Sequence, residues 1–350
     1  MPRVRRIALA ILVGVFGALA VAGPAGAHSA DALAASDYRC VVIGISPPLP
    51  GLTIRSVSAS TQLELVNHTG RAIEVLGYAG EPYLRVGPDG VQQNANSPAT
   101  YVNQTLTGGP APPATATAAA VPAWQRLSAT PAVLWHDHRA HWMASTPPPE
   151  VAADPGAPHQ IATWRIPLRD GVRTFAVTGT LDWVPPPAVA AWWAGCLLLA
   201  AAVAALGLLR SPRAMAVAAG VAGGAGLAAL GYAVGAAEDS GALGPLGGLR
   251  ALVAVQTWPL LCGLTALLAA GYAALRRPAA DLALGLAGAC LTLFAGISNA
   301  AVFAHAIAPV PLPGTSARAL ILVCVAGGAG LAGLTALRLR AQPAPPTAER

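Results

Sequence analysis

The sequence predicts an exported all-β domain followed by an α-helical membrane domain of five transmembrane helices, and three observations carry that prediction. Of 350 residues, 55% are hydrophobic and only 10% charged, which is too apolar for an ordinary soluble chain. The apolar residues are also segregated. Residues 36–184 hold short alternating runs and most of the charges, whereas the chain from 185 onward is nearly all apolar. Finally, the arginines fall in pairs beside the apolar runs. That placement reports membrane topology, so the formal charge of +6 does not argue for a nucleic-acid partner.

The first element has the form of a signal peptide, 1–27. Arg3, Arg5 and Arg6 make a basic start, 7–21 an apolar core, and Ala25-Gly26-Ala27 a small-residue cleavage site. Cleavage there makes His28 the mature N-terminus; a cut after Ala34 is the alternative.

The second element, 28–184, reads as β-structure. Leu63 and Leu65 alternate with polar neighbours, "NHTG" supplies a turn, and Ile73 and Val75 resume the alternation, which predicts a hairpin. In "TWRIPLRDGVRTFAVTGTLDWV", Trp164, Ile166 and Leu168 share one face. Asp170-Gly171 turns the chain, and Phe175, Val177, Leu181 and Trp183 share a face of the return strand. With "RCVVIGIS", "LTIRSVSA" and "PYLRVGP", about seven short strands emerge, the pattern of an immunoglobulin-like sandwich. The stretch 108–121, rich in Pro, Ala and Thr, reads as a mobile loop. Of the five cysteines only Cys40 lies in this region, as a small buried strand residue, so no intrachain disulfide is expected.

The third element, 185–340, holds apolar stretches at 188–209, 214–236, 251–274, 280–304 and 318–337, each about the twenty residues a bilayer requires. With the β-domain outside, Arg210 and Arg213, Arg276 and Arg277, and Arg338 and Arg340 all fall on the inner side. Glu238 and Asp239 fall outside, and residues 341–350 form a cytoplasmic tail. Trp192, Trp193 and Trp258 sit where interfacial rings are expected. The middles of the spans lack ionisable groups, unlike those of a pump. Gln256, Thr257, Ser298, Asn299 and His305 lie in outer halves or ends, either as ordinary interfacial groups or as the lining of a shallow outward pocket. Gly220 with Gly224, and Gly231 with Gly235, make small faces suited to packing within the bundle or, alternatively, to a dimer contact.

One stretch stands apart. "WHDHRAHWM" places His136, His138, His141 and Met143 within eight residues. His136 and His138 share a face if the segment is extended, and a turn at Arg139-Ala140 brings His141 and Met143 round. Imidazoles suit copper or zinc, and a thioether adds a preference for Cu(I). His28, with its terminal amine, is a further copper ligand if cleavage follows Ala27. The competing reading is an ordered loop in which Asp137 pairs with Arg139 and the two indoles anchor the segment. No G-x-S-x-G occurs and no serine or cysteine is visibly paired with a base, so an enzyme is not expected.

The blocks "GEPYLRVGPDGV", "SPATYVN" and "WHDHRAHWM" resemble those of uncharacterised multi-span membrane proteins of high-GC Gram-positive bacteria with an exported ectodomain. The layout, with His28 after the signal, also resembles copper-resistance proteins that fuse a copper-binding sandwich to a membrane partner. The resemblance implies that common architecture; the export signal and the arginine pairs predict a plasma-membrane protein with an extracytoplasmic N-terminal domain, a cytoplasmic C-terminus and the lipid bilayer as its environment. Two functions follow as expectations: copper handling at the surface, or docking of another envelope protein.

Overall fold

A computed structural model describes residues 35–241 and 244–341. The predicted signal peptide, His28 and most of the predicted tail lie outside the described residues.

Among the described residues ten strands form two antiparallel sheets. They are β1 (Tyr38–Ser46), β2 (Leu52–Val57), β3 (Gln62–Asn67), β4 (Ile73–Leu76), β5 (Pro82–Gly87), β6 (Gly90–Asn94), β7 (Trp124–Ser128), β8 (Ala132–Trp135), β9 (His159–Asp170) and β10 (Arg173–Trp183). The larger sheet has the order β1-β10-β9-β4-β5-β6-β7 and the smaller β2-β3-β8. Alternate residues of both face a common core. Leu63, Leu65 and Trp135 come from the small sheet; Val75, Leu84, Ile166, Leu168 and Val177 come from the large one. Each such aliphatic side chain contributes roughly 1.5–3 kcal/mol when fully buried.

The β9–β10 hairpin is as the sequence predicts. Asp170 pairs with Arg173, Gly171 takes φ +60, and Trp164, Ile166 and Leu168 are buried together with Phe175, Val177 and Leu181. The hairpin predicted across "NHTG" does not form. Instead β3 pairs with β2 and β8, whereas β4 pairs with β5 and β9 in the other sheet. Alternation reports which face is buried and not which strand lies alongside, and both faces here point into one core. Asn67 holds this corner between the sheets. Its amide donates to the carbonyls of Arg71 (2.7 Å) and Val86 (2.8 Å), and its carbonyl oxygen accepts from the Thr69 N–H. The stretch 108–121 forms neither helix nor strand, yet Ala116 in it is buried.

Among the described residues five helices are long and apolar enough to cross a membrane: Val189–Leu208, Pro212–Asp239, Thr257–Ala274, Ala280–Phe303 and Gly314–Arg340, the first to fifth spans below. The predicted third span, 251–274, is broken. A separate helix, Gly244–Ala254, precedes it, and the span starts at Thr257. Pro259 sits in the first turn, where its missing N–H is not needed. The fourth span begins as an α-helix, loosens to a π-turn over Leu291–Gly296 and ends as a 3-10 turn over Ile297–Phe303.

Two contacts seat the sheets on one end of the bundle. At the first, Ser36 and Ile307 exchange main-chain hydrogen bonds of 3.0 and 2.7 Å. Asp37 accepts from the Ala306 N–H (2.8 Å) and pairs with the His305 ring (2.8 Å). That hydrogen bond raises the His305 pKa above its ordinary value, against the opposing effect of burial. Arg318, buried in the fifth span, donates to the carbonyls of Val302, His305 and Ala306 and so holds the end of the fourth span in place. At the second contact, Asp239 closes the second span and accepts from two N–H groups of the β2–β3 turn. Its carbonyl takes Ser58 and its carboxylate takes Ala59, both at 2.7 Å. Ser58, Ala59 and Ser60 all have positive φ, at 55, 53 and 70. Such consecutive left-handed residues persist only where surrounding contacts hold them.

Glycine sets how close the helices come, but not at the positions that the sequence singled out. A Cβ on Gly288 would lie 2.6 Å from the Gly328 carbonyl, and one on Gly328 would lie 2.5 Å from that of Gly288. Gly226 and Gly263 pack likewise, whereas Gly220, Gly224 and Gly231 meet nothing within 4 Å. Of the four glycines highlighted by spacing, only Gly235 packs inside, against Val310. Gly288→Ala should therefore lower stability by about 1–3 kcal/mol, the usual cost of overpacking, whereas Gly224→Ala should not. Thermal unfolding of both variants in detergent checks this; equal melting temperatures would contradict the assigned helix crossing.

Candidate functional site

The "WHDHRAHWM" loop leaves β8 and enters a single 3-10 turn, His138–Ala140. Asp137, fully buried, organises it. Its carboxylate accepts from the Trp135 indole (3.1 Å), from the Arg139 backbone N–H (3.2 Å) and from two guanidinium nitrogens of Arg139 at 2.8 Å each. Arg139 continues to the carbonyls of Leu76 and Gly77, and its guanidinium lies 4.8 Å from the centre of the Tyr78 ring. A buried pair satisfied in this way is costly to break from one side, by roughly 3–5 kcal/mol.

The three imidazoles have different surroundings. His136 Nδ1 lies 2.7 Å from the Thr61 carbonyl, so it donates there, and its Nε2 lies 3.3 Å from the Gln62 amide nitrogen. Gln62 in turn accepts from the Ser58 hydroxyl at 2.9 Å. His136 thus braces the same turn that sits on Asp239. His138 lies on another side. Its Nε2 donates to the Thr105 carbonyl (3.1 Å), and its backbone N–H donates to the Tyr78 hydroxyl (3.2 Å). His141 Nε2 is buried with no hydrogen-bond partner. Burial, reinforced by His136 and His138 and opposed by Asp137, pushes its pKa down to about 4. Met143 is exposed.

The predicted ligands are therefore neighbours in sequence, but the His136 and His138 rings turn to separate carbonyls, the His141 Nε2 meets no partner and Met143 is exposed. Among the described residues no three His, Cys, Asp or Glu side chains form a group able to hold a metal ion. His159 is turned to the Asp154 carbonyl at 2.7 Å. Burial raises the Cys40 thiol to about 12, which suits a strand residue rather than a nucleophile. In the membrane part, Thr257, Ser298 and Asn299 return hydrogen bonds to carbonyls four residues back in their own chain.

A second feature was not visible in the sequence. Strands β1 and β2 are the terminal strands of the two sheets and run beside one another. A cavity of about 580 Å³ opens along them, lined by Val42, Ile43, Ile45, Pro48, Leu49 and Pro50 among others. The β1–β10 register slips between Val42 and Gly44, so Ile43 is the extra residue of a bulge and is 68% exposed. Bulges re-aim side chains at sheet edges. Compared with protein-family models, curated proteins and solved structures, the chain matches none.

The His141 environment makes a pH prediction. The folded state favours the neutral ring, so its contribution to stability is complete above the ordinary value near 6.5 and is lost as pH falls toward 4. In full-length protein, unfolding followed by tryptophan fluorescence should lose stability over that range more steeply than in His141→Asn. Parallel curves would show that His141 is not buried as a neutral base.

Proposed function

We propose that this protein is a bilayer-anchored interaction module, which holds an outward β-domain in fixed orientation and docks an apolar segment of another envelope protein along the β1–β2 edge. The observation that carries this reading is the exposed Ile43 bulge beside an apolar groove, in a domain whose buried polar loop is committed to internal hydrogen bonds. The double seat on Asp37 and Asp239 supports it, because a fixed edge presents a partner with one geometry. The outward orientation is supported by the arginine pairs, four of whose members line the end of the bundle opposite the sheets. We read the ten strands as an elaborated immunoglobulin-like sandwich, since the two sheets share one core.

A second reading, copper held by His136, His138, His141 and Met143, draws support from one fact: the His141 Nε2 is buried without a partner. Carbonyl contacts of the kind made by His136 and His138 also fix ligand tautomers in metal centres. His28 would join such a set only if the mature chain begins there.

A photo-crosslinking residue at position 43 in intact cells should give a discrete adduct that is absent when the same residue stands at Val172, which is fully exposed at the hairpin tip. An impermeant maleimide should label Ile43→Cys before lysis if the domain faces outward. Matching adducts at both positions, or labelling only after lysis, would overturn the docking reading. Stoichiometric copper surviving desalting of the full-length protein, and lost in His141→Ala, would favour the second.

A further inference from the structure

At the end of the bundle away from the sheets, two helix connections and the end of the fifth span converge on a cavity of about 660 Å³. Arg210, Arg276, Arg277 and Arg338 line it, with Asp281 as the acidic member. Asp281 is already neutralised, since Arg338 Nη1 lies 2.7 Å from its carboxylate and the Arg338 Nη2 donates to the Leu209 carbonyl at 3.0 Å. Arg338 is itself only 8% exposed, and its Nε has no hydrogen-bond partner. Arg210 donates to the Ala341 carbonyl, and Arg276 and Arg277 extend from an exposed turn. Among the described residues none of these three arginines makes an ion pair, so the cavity keeps a surplus of positive charge. Two helix N-termini add to it. The second span starts at Pro212 behind its Ser211 cap and the fourth starts at Ala280, and both starts line the cavity.

The basic cavity does not stop at the membrane end. Pro212, Met215 and Arg276 also line a groove of about 460 Å³ that continues between the second and third spans. Its walls are small: Ala216, Ala219, Gly220, Ala270, Gly271 and Ala274. Neither Gly220 nor Gly271 would meet another atom within 4 Å if it carried a Cβ. A purely structural small-residue face would be closed by a neighbouring helix, as at Gly288 and Gly328. This one stays open and leads into a cationic pocket.

We infer that this face is a binding site for one anionic phospholipid, with its phosphate among Arg210, Arg276 and Arg277 and an acyl chain laid in the glycine-lined groove between the second and third spans. The charge surplus selects the headgroup and the apolar groove selects a lipid over a soluble phosphate. Basic pockets between spans capture acidic headgroups in this way.

The test uses the full-length protein, delipidated in detergent and examined by native mass spectrometry with added phosphatidylglycerol or phosphatidylcholine. One phosphatidylglycerol should remain bound under activation that strips phosphatidylcholine. Retention should fall at least about tenfold in the double variant Arg276→Gln/Arg277→Gln, since each arginine near an anionic lipid contributes roughly a fivefold factor. Gly271→Leu should also reduce it by filling the groove from a position where an added Cβ meets nothing within 4 Å. Arg340→Gln and Arg213→Gln are the controls, because both arginines are exposed at the same end and neither lines the cavity. Equal loss in the controls, or equal retention of both lipids, would overturn the site in favour of general surface charge. Capture of inorganic phosphate that Gly271→Leu leaves unchanged would overturn the lipid assignment.

Discussion

The structure depends on two carboxylates that fasten a sheet domain to the end of a helical bundle. Asp239 terminates the second span and gathers the N–H groups of a turn in which three consecutive residues are left-handed. Asp37, just before β1, takes the ring of His305 and the N–H of Ala306. The worth of both contacts lies in placing charge-assisted hydrogen bonds on main-chain groups that a loop end would otherwise leave to water. One anchor lies at the end of the second span and the other in the connection between the fourth and fifth, so together they restrict rotation of the sheets as well as translation.

From the second anchor a chain of contacts runs into the histidine loop. The turn on Asp239 is braced by Gln62 and Thr61, which meet His136; Asp137 and Arg139 then tie the loop to the end of β4 at Leu76. The loop is thus part of the seating, a role that its composition does not announce. Spacing places His136 and His138 two apart but cannot tell toward which carbonyl each ring turns. The Asp137–Arg139 pair and the anchoring by Trp135 were legible because opposite charges two residues apart beside a buried indole leave few other arrangements. Thr61 and Thr105, the acceptors that take His136 and His138 apart, are backbone carbonyls, and no sequence pattern encodes them.

The membrane part was the more legible, because twenty apolar residues with arginine pairs have few alternatives. Its internal contacts were less so. Glycines at four-residue spacing stood out in the sequence, yet the close crossings use Gly288 with Gly328 and Gly226 with Gly263, which belong to different spans. Asp239 read as an ordinary outer-loop charge, and Arg318 as the start of a span. Each proved to hold a junction whose partner lies far away in sequence. In the sheet domain the β9–β10 hairpin was readable because its pairing is local, whereas the crossing from β3 to β4 was not, because each strand takes its local partner on the other side, β2 or β5, and its second partner, β8 or β9, lies 60 or more residues away along the chain.

The most direct test of the two-anchor account is a distance measurement by pulsed electron resonance, with spin labels at Ile43 on β1 and at Leu198 on the first span, both exposed. In lipid nanodiscs the wild-type background should give one narrow distribution, and it should broaden when Asp37→Ala and Asp239→Ala are combined. A broad distribution in the wild-type background, or a narrow one that survives both substitutions, would contradict the account.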